Sequence, residues 1–457
     1  MAAVRFGTDG IRGIAGETLT DAVAYALGCA IAARFPHGTI LIGRDTRPSG
    51  AALSAALAAG ISARGAHAID LGVIPTPGLA AVVAGEPTAS CGVVVTASHN
   101  PVEYNGLKVL GRDGRKVADV VERELEVAID AELARGSEMD LLVPLRNASN
   151  KEAGSSYRSR YASQLAAIAA AAAPRAAAVG LRIFVDAANG AGAPFAAAAL
   201  AATGATIDGM AMGDGVINDA VGATSPDALG VRVVAAGADL GIALDGDADR
   251  CAVLDERGEL VDGDVVIGLI ALDRKQRGLP QSDRVIATVL TNSGIERQLA
   301  AAGITLQRTP VGDRHIAEAL AGAAEGFGGE KSGHLLFPEH APTGDGLISA
   351  IEVIALLARA KRPLSELAAG LPLDPQVQRV VRVQEGDAEA LLADQRFTDA
   401  LREAEALLAN SGGRILVRPS GTEPLLRVMA EGPDAAAVAA AAESLLATAT
   451  RLLRERS

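Results

Sequence analysis

The chain has 457 residues and a formal net charge of −13 at pH 7, with 49% hydrophobic residues, 2% aromatic residues and no Trp. That length suits several domains at roughly 100–200 residues each, and the acidic balance argues against a nucleic-acid partner, which needs a basic face. Cores without large rings must be built from Ala, Val, Leu and Ile, which suits closely packed helix-on-sheet layers.

Taken in order, the N-terminus MAAVRFGTDGIRG lacks the basic and apolar segments of a secretory signal. A strand–turn–helix–Gly–strand unit follows from Thr39 to Gly72, and similar units run from Leu181 to Met210 and from Arg284 to Gly312. Their closing glycines, Gly65, Gly204 and Gly303, stand where a helix ends in the left-handed conformation. The apolar tract Leu165–Ala173 stops at Pro174, short of the about 20 residues that span a bilayer. Beyond Pro372 and Pro375, the segments Val377–Val383, Asp387–Asn410, Arg414–Val417 and Leu425–Gly432 read as strand, helix, strand, strand, with a last helix from Pro433. The expected architecture is three similar α/β domains (1–155, 156–260, 261–373) and a smaller α+β domain (374–457). Cys29, Cys91 and Cys251 are scattered, as in a reducing compartment, so a soluble cytoplasmic protein without a membrane partner is expected.

Four segments concentrate chemistry in turns that follow apolar runs. In VVVTASHNPVEYNGLKV (Val93–Val109), Ser98 sits at a strand end, either as a nucleophile or as a turn serine, and Lys108 lies on the next strand as a candidate acid/base. DGDADR places Asp245, Asp247 and Asp249 at alternate loop positions, an all-oxygen set suited to Mg²⁺. GFGGEKSGH offers Glu330, Ser332 and His334 to sugar hydroxyls, or is an ordinary surface loop. RPSGTEP groups Arg418, Ser420, Gly421 and Thr422 either as a phosphate cradle or as a turn between strands. Phosphoryl transfer needs a nucleophile, a metal and a positioned phosphate, and the four segments together supply them.

With FGTDGIRG (Phe6–Gly13) at the start, this set resembles the α-D-phosphohexomutase superfamily over essentially the whole chain. VINDAVGATSPDAL (Val216–Leu229), TGDGLISAI (Thr343–Ile351) and RVMAEG (Arg427–Gly432) are most similar to its amino-sugar branch. The resemblance implies three α/β domains with mixed sheets and a small fourth domain around a central cleft. It implies that Ser98 carries phosphate and, with Asp245, Asp247 and Asp249, holds one Mg²⁺. Arg12, His99 and Lys108 would act beside that phosphate, with Lys108 or His334 as acid/base and Arg250 holding charge. Glu330 and Ser332 would read the sugar, while Arg418, Ser420, Gly421, Thr422 and Arg427 would hold the non-reacting phosphate. The substrate would be a small phosphosugar, with glucosamine 1,6-bisphosphate as intermediate and activator, and the enzyme a homodimer. A phosphomannomutase/phosphoglucomutase, a phosphatase using the same serine and metal, and a silent phosphosugar-binding protein are the alternatives. Two residues depart from the pattern: Lys331 stands where this branch is expected to have Gln, and Ala248 where Gly is common. The second matters only if the backbone there has a positive φ.

Overall fold

The computed structural model describes residues 4–7, 9–135, 151–172, 178–322, 326–384, 386–409, 411–419 and 424–456. With so few rings to fill its cores, the chain brings backbones close together instead. Helices Asp21–Arg34 and Gly50–Ala63 show this best. A Cβ on Gly28 would lie 2.2 Å from the Leu57 carbonyl oxygen, and one on Gly60 would lie 2.1 Å from that of Tyr25. The two helices meet backbone to backbone, and Leu27, Ile31, Leu57 and Ile61 seal the contact without exposed surface. Dispersion contacts that rings would otherwise make are recovered by this close approach.

Packing divides the chain into two compact units, Met1–Val289 with Leu306–Ala368, and Leu290–Thr305 with Ala369–Ser457. In the first, strands β1 (Ile11–Ile14), β2 (Thr39–Arg44), β3 (His67–Val73), β4 (Ala89–Val95) and β5 (Tyr104–Leu110) form a sheet of order β1-β5-β4-β2-β3. There β2 runs parallel to β3 and β4, while β5 is antiparallel to β4 and β1. A second sheet repeats the plan with β6 (Arg182–Asp186), β7 (Thr206–Met210), β8 (Leu240–Leu244), β9 (Cys251–Leu254) and β10 (Leu260–Val261), in the order β10-β9-β8-β6-β7. Its directions match the first strand for strand. A third, shorter sheet has the order β12-β11-β13-β14, from β11 (Arg284–Thr288), β12 (Thr305–Thr309), β13 (Gly328–Gly329) and β14 (Leu335–Leu336).

The expected closing glycines have φ of 76° at Gly65, 98° at Gly204 and 71° at Gly303, so each ends its helix as the repeat requires. More consequential is where the motifs fall. β4, β8 and β13 hold the same place in their sheets, and Ser98, Asp245 and Glu330 lie in the loops that follow them. The ends of such strands are where ligand sites of α/β sheets form.

In the second unit, β15 (Gln376–Arg382), β16 (Arg414–Pro419) and β17 (Leu425–Glu431) make an antiparallel sheet of order β15-β17-β16. The single helix expected over 387–410 is two, Asp387–Leu392 and Gln395–Ala409. Asp394 accepts from the Arg396 amide at 2.9 Å and so begins a new helix N-terminus there. Helix Ala435–Arg456 is long and apolar enough, by length and composition, to span a bilayer. In this fold it buries Val438, Ala441, Leu445, Ala449 and Leu452 in cores shared with Leu426, Val428 and Ala430 of β17.

Candidate active site

The chain leaves β4 and turns at Ser98, whose φ of 53° lies in the left-handed region. For a residue with a Cβ that costs roughly 1–2 kcal/mol. The turn is held from below: the Ser98 amide donates to Thr96 Oγ1 at 2.9 Å, and Thr96 Oγ1 donates to buried Asp45 at 2.6 Å. Ser98 Oγ is thereby aimed at the aspartate loop, where it donates to Asp245 Oδ2 at 2.7 Å. It also lies 3.2 Å from His99 Nδ1.

Asp245, Asp247 and Asp249 follow β8 and are all buried, with one carboxylate oxygen of each lying within 4.8 Å of the others. Asp247 Oδ2 accepts from Thr76 Oγ1 at 2.6 Å and from Lys108 Nζ at 2.9 Å. Asp247 Oδ1 and Asp249 Oδ1 are buried without a hydrogen-bond partner. Each such oxygen costs about 1–3 kcal/mol or more. Burial, with Asp249 and Asp247 nearby, pushes the Asp245 carboxyl well above the usual carboxylate range. A hard divalent cation among these oxygens removes both penalties, so the residues present fit one. Ala248, between the second and third aspartates, has φ 56°, the conformation that Gly takes more easily.

Lys108 rises from β5 and is 1% exposed. Its Nζ lies 2.8 Å from Asp9 Oδ2 and 3.9 Å from Asp249, besides Asp247. Burial works to lower its pKa, but Asp247, Asp9 and Asp249 outweigh it and hold the ammonium above the ordinary lysine range. It enters the site as a fixed cation. Asp9 is the residue that the sequence reading missed: the FGTDGIRG motif singled out Arg12 alone. It accepts from Arg12 Nη2 and sits 2.7 Å from Lys116, so one carboxylate gathers three cations. Arg12 in turn reaches Asn100 Oδ1 at 3.2 Å.

His334 comes from the loop after β13, its Nδ1 3.8 Å from Asp249 and its Nε2 4.0 Å from Asp313. Burial opposes its charge, yet Asp249 and Asp313 raise its pKa to about 9. Arg250 Nε lies 3.7 Å from Asp249 Oδ1. In the same loop, Glu330 accepts from the Gly312 amide at 2.9 Å, and the exposed Ser332 hydroxyl is 3.5 Å from Glu330. Lys331 turns to Asp262, 2.8 Å away, which follows β10 of the second sheet and answers its charge. A cavity of about 770 Å³ opens beside Lys108, Asp249 and His334, with Lys116 and Asp313 on its wall.

The structure thus gathers Ser98, His99, Lys108, Arg12, Arg250, His334 and the three aspartates at one place. Arg418 and Arg427 belong to the second unit, where they face each other across β16 and β17. Burial and the Arg427 charge lower the Arg418 pKa. Ser420, Gly421 and Thr422 lie outside the described residues.

Family models for the phosphoglucomutase/phosphomannomutase family match residues 3–135 (alpha/beta/alpha domain I), 159–258 (domain II), 262–373 (domain III) and 380–448 (C-terminal domain). The phosphoglucosamine mutase of Azorhizobium caulinodans is 41% identical over 95% of this chain and 96% of its own. That of Rubrobacter xylanophilus is 44% identical over 94% and 93%. Among solved structures, a phosphoglucomutase/phosphomannomutase family protein from Burkholderia thailandensis superposes with a TM-score of 0.76 at 24% identity, covering 96% of each chain. The N-acetylphosphoglucosamine mutase of Aspergillus fumigatus, solved with GlcNAc-6P and magnesium, has a TM-score of 0.61 at 19% identity, covering 97% of this chain and 95% of its own. With all four domain models matched in order and such relatives alike over nearly the full length, the chain belongs to the phosphoglucomutase/phosphomannomutase family, in its phosphoglucosamine mutase branch.

Proposed function

We propose that this enzyme interconverts glucosamine 6-phosphate and glucosamine 1-phosphate, with Ser98 as the phosphate carrier and glucosamine 1,6-bisphosphate as the intermediate. The observation that carries the reading is the 2.7 Å contact from Ser98 Oγ to Asp245, at the edge of two buried carboxylate oxygens that lack donors. Mg²⁺ held by Asp245, Asp247, Asp249 and the Ser98 phosphate would supply charge neutralisation at the transferring phosphoryl group.

The chain's own residues do the rest. In the forward half-reaction the Oγ–P bond of phosphoserine breaks as the sugar O1–P bond forms, and the proton lost by O1 is matched by the one that the departing Ser98 Oγ gains. In the return half-reaction the O6–P bond breaks as the Oγ–P bond re-forms, Ser98 Oγ gives up its proton and the departing O6 gains one. His99 is placed to take the Ser98 proton. Its Nδ1 is 3.2 Å from Ser98 Oγ, and burial with the charges of Arg250 and Arg12 lowers its pKa, keeping the ring a neutral acceptor. Lys108, held as a cation, stabilises the equatorial phosphoryl oxygens rather than serving as base. Glu330 and Ser332 face the sugar, and Arg418 and Arg427, with the RPSGTEP loop, take the phosphate that is not transferred. The three cysteines, free and buried, fit a reducing cytoplasm.

Ser98→Ala tests the reading: it should abolish isomerisation and the phosphate adduct seen on the parent by intact mass spectrometry. A panel of glucosamine, glucose and mannose phosphates should show the highest kcat/KM for glucosamine. A variant that retained full activity would reject Ser98 as carrier.

A further inference from the structure

Four backbone carbonyls crowd the turn that carries Ser98, and one buried guanidinium satisfies them all. Arg47 Nη2 donates to the carbonyl oxygens of Ser98 at 2.9 Å and Asn100 at 2.7 Å. Its Nη1 donates to Tyr104 O at 2.9 Å and to Pro101 O. Its Nε is fixed by Asp45 Oδ2 at 3.0 Å, the carboxylate that also receives Thr96 Oγ1. The Arg47 side chain has no exposed surface.

A second grip comes from the other sheet. Asn218, in the loop between β7 and helix Asp227–Ala236, donates from Nδ2 to the same two carbonyls, Ser98 O at 2.8 Å and Asn100 O at 3.0 Å. Two NH₂ groups, one from each sheet's loops, thus bridge one pair of carbonyl oxygens. Asn218 holds this aim from a left-handed backbone, φ 59°, with its own amide on Ala188 O at 3.0 Å. Gly246, between the first two aspartates, leaves room for it. A Cβ there would sit 2.5 Å from Ser98 O and 2.9 Å from Asn218 Nδ2.

We infer that Arg47 and Asn218 are positioning residues that clamp the Ser98 turn, and that Asn218 sets the serine's register against the aspartate loop. The inference rests on Ser98 being the phosphoryl carrier. Ser98 lies in the first sheet's loops and its metal ligands in the second's, so in-line transfer depends on how well the two loops are referenced to each other. Arg47 fixes the turn within its own domain. Asn218 alone of the pair comes from the side that carries Asp245, Asp247 and Asp249. A group misplaced by 1 Å can cost about a hundredfold in rate.

The test uses Asn218→Asp, which keeps shape but replaces the donor with a carboxylate facing two carbonyls, and Asn218→Gly, which tolerates the left-handed backbone and removes the donor. The readout is single-turnover loss of phosphate from Ser98 in phosphorylated enzyme mixed with excess glucosamine 6-phosphate, alongside steady-state kcat, KM and Tm. Both variants should lower the transfer rate and kcat by about ten- to a hundredfold while KM stays within about twofold. Transfer rates within about twofold of the parent, a rise in KM at unchanged kcat, or losses that merely follow Tm across the two variants would overturn the inference. Ser98→Ala separates its failure from that of the function: if that variant stays active, the carrier assignment falls, whatever Asn218 does.

Discussion

Lys108 and Asp247 form a 2.9 Å ion pair with almost no solvent on either partner, although one rises from β5 and the other from the loop after β8. The pair joins the sheet that carries Ser98 to the aspartate loop, and Asp9 lies 2.8 Å from the same Nζ. Replacing Lys108 with Met should lower kcat by about a hundredfold or more, as for other lost transition-state charges. It should also destabilise the fold by about 3 kcal/mol, because Asp9 and Asp247 lose a buried partner. Steady-state kinetics and urea unfolding check both. Lys108→Arg, unable to fit the same point of contact, should rescue stability better than kcat.

The orphaned oxygens of Asp247 and Asp249 predict a stability response to cation. Mg²⁺ should raise the Tm of the metal-free parent in a concentration-dependent way, because it binds the folded form alone. Asp247→Asn should blunt that rise and lower activity together. Thermal scans across a Mg²⁺ series, with EDTA as the zero point, measure it. An unchanged response in Asp247→Asn would remove that residue from the ligand set.

His334 gives a pH dependence with a definite sign. Its pKa is raised from 6.5 to about 9, chiefly against burial by Asp249, so the folded state holds a proton that the unfolded chain releases. Its contribution is fully present below pH 6.5 and is lost as pH rises through about 9. Tm of the metal-free protein should therefore fall over that window, and the slope should be smaller in His334→Gln.

Ala248 keeps a left-handed backbone at φ 56° in the middle of the aspartate loop. Ala248→Gly should relieve that strain and stabilise the protein by about 0.5–1 kcal/mol, with little change in KM. Denaturant midpoints would show the gain. A loss instead would mean that restricting the unfolded chain outweighs the strain.

Lys331, in the loop after β13, pairs with Asp262 at 2.8 Å. Lys331→Gln should accordingly change kcat/KM for glucosamine 6-phosphate by less than about twofold, as befits a half-exposed ion pair. A large gain for the amino sugar would show that the ammonium acts inward.

How far the sequence reveals this site depends on how the chemistry is written along it. Asp245, Asp247 and Asp249 are contiguous, and so are Ser98 and His99, so their convergence could be read from spacing alone. Lys108 could be placed on the strand after Ser98, but its charge state depends on Asp9 and Asp247, which lie 99 and 139 residues away in sequence. Asp9 and Asn218 lie inside quoted motifs and Arg47 outside them, but nothing local assigns any of the three its partner. Each resembles an ordinary turn residue until folding brings it to a partner. The repeat was legible because strand, helix and closing glycine are local. The break at Asp394 was not, since the 3.6-residue periodicity runs on either side of it and only the side-chain cap interrupts it. Nor does the sequence show that the three motif loops follow equivalent strands, which needs the order of each sheet.

The turn at Ser98 bears on how phosphate would reach it under the proposed mechanism. The residue is 1% exposed, its backbone is left-handed, and its carbonyl is held from two sides. A macromolecular kinase or phosphatase reads an extended, accessible peptide, and this segment offers none while folded. On the proposed mechanism, phosphate would then arrive and leave on a donor small enough to enter the cavity beside Lys108, and the state of the enzyme would record the small phosphate esters around it.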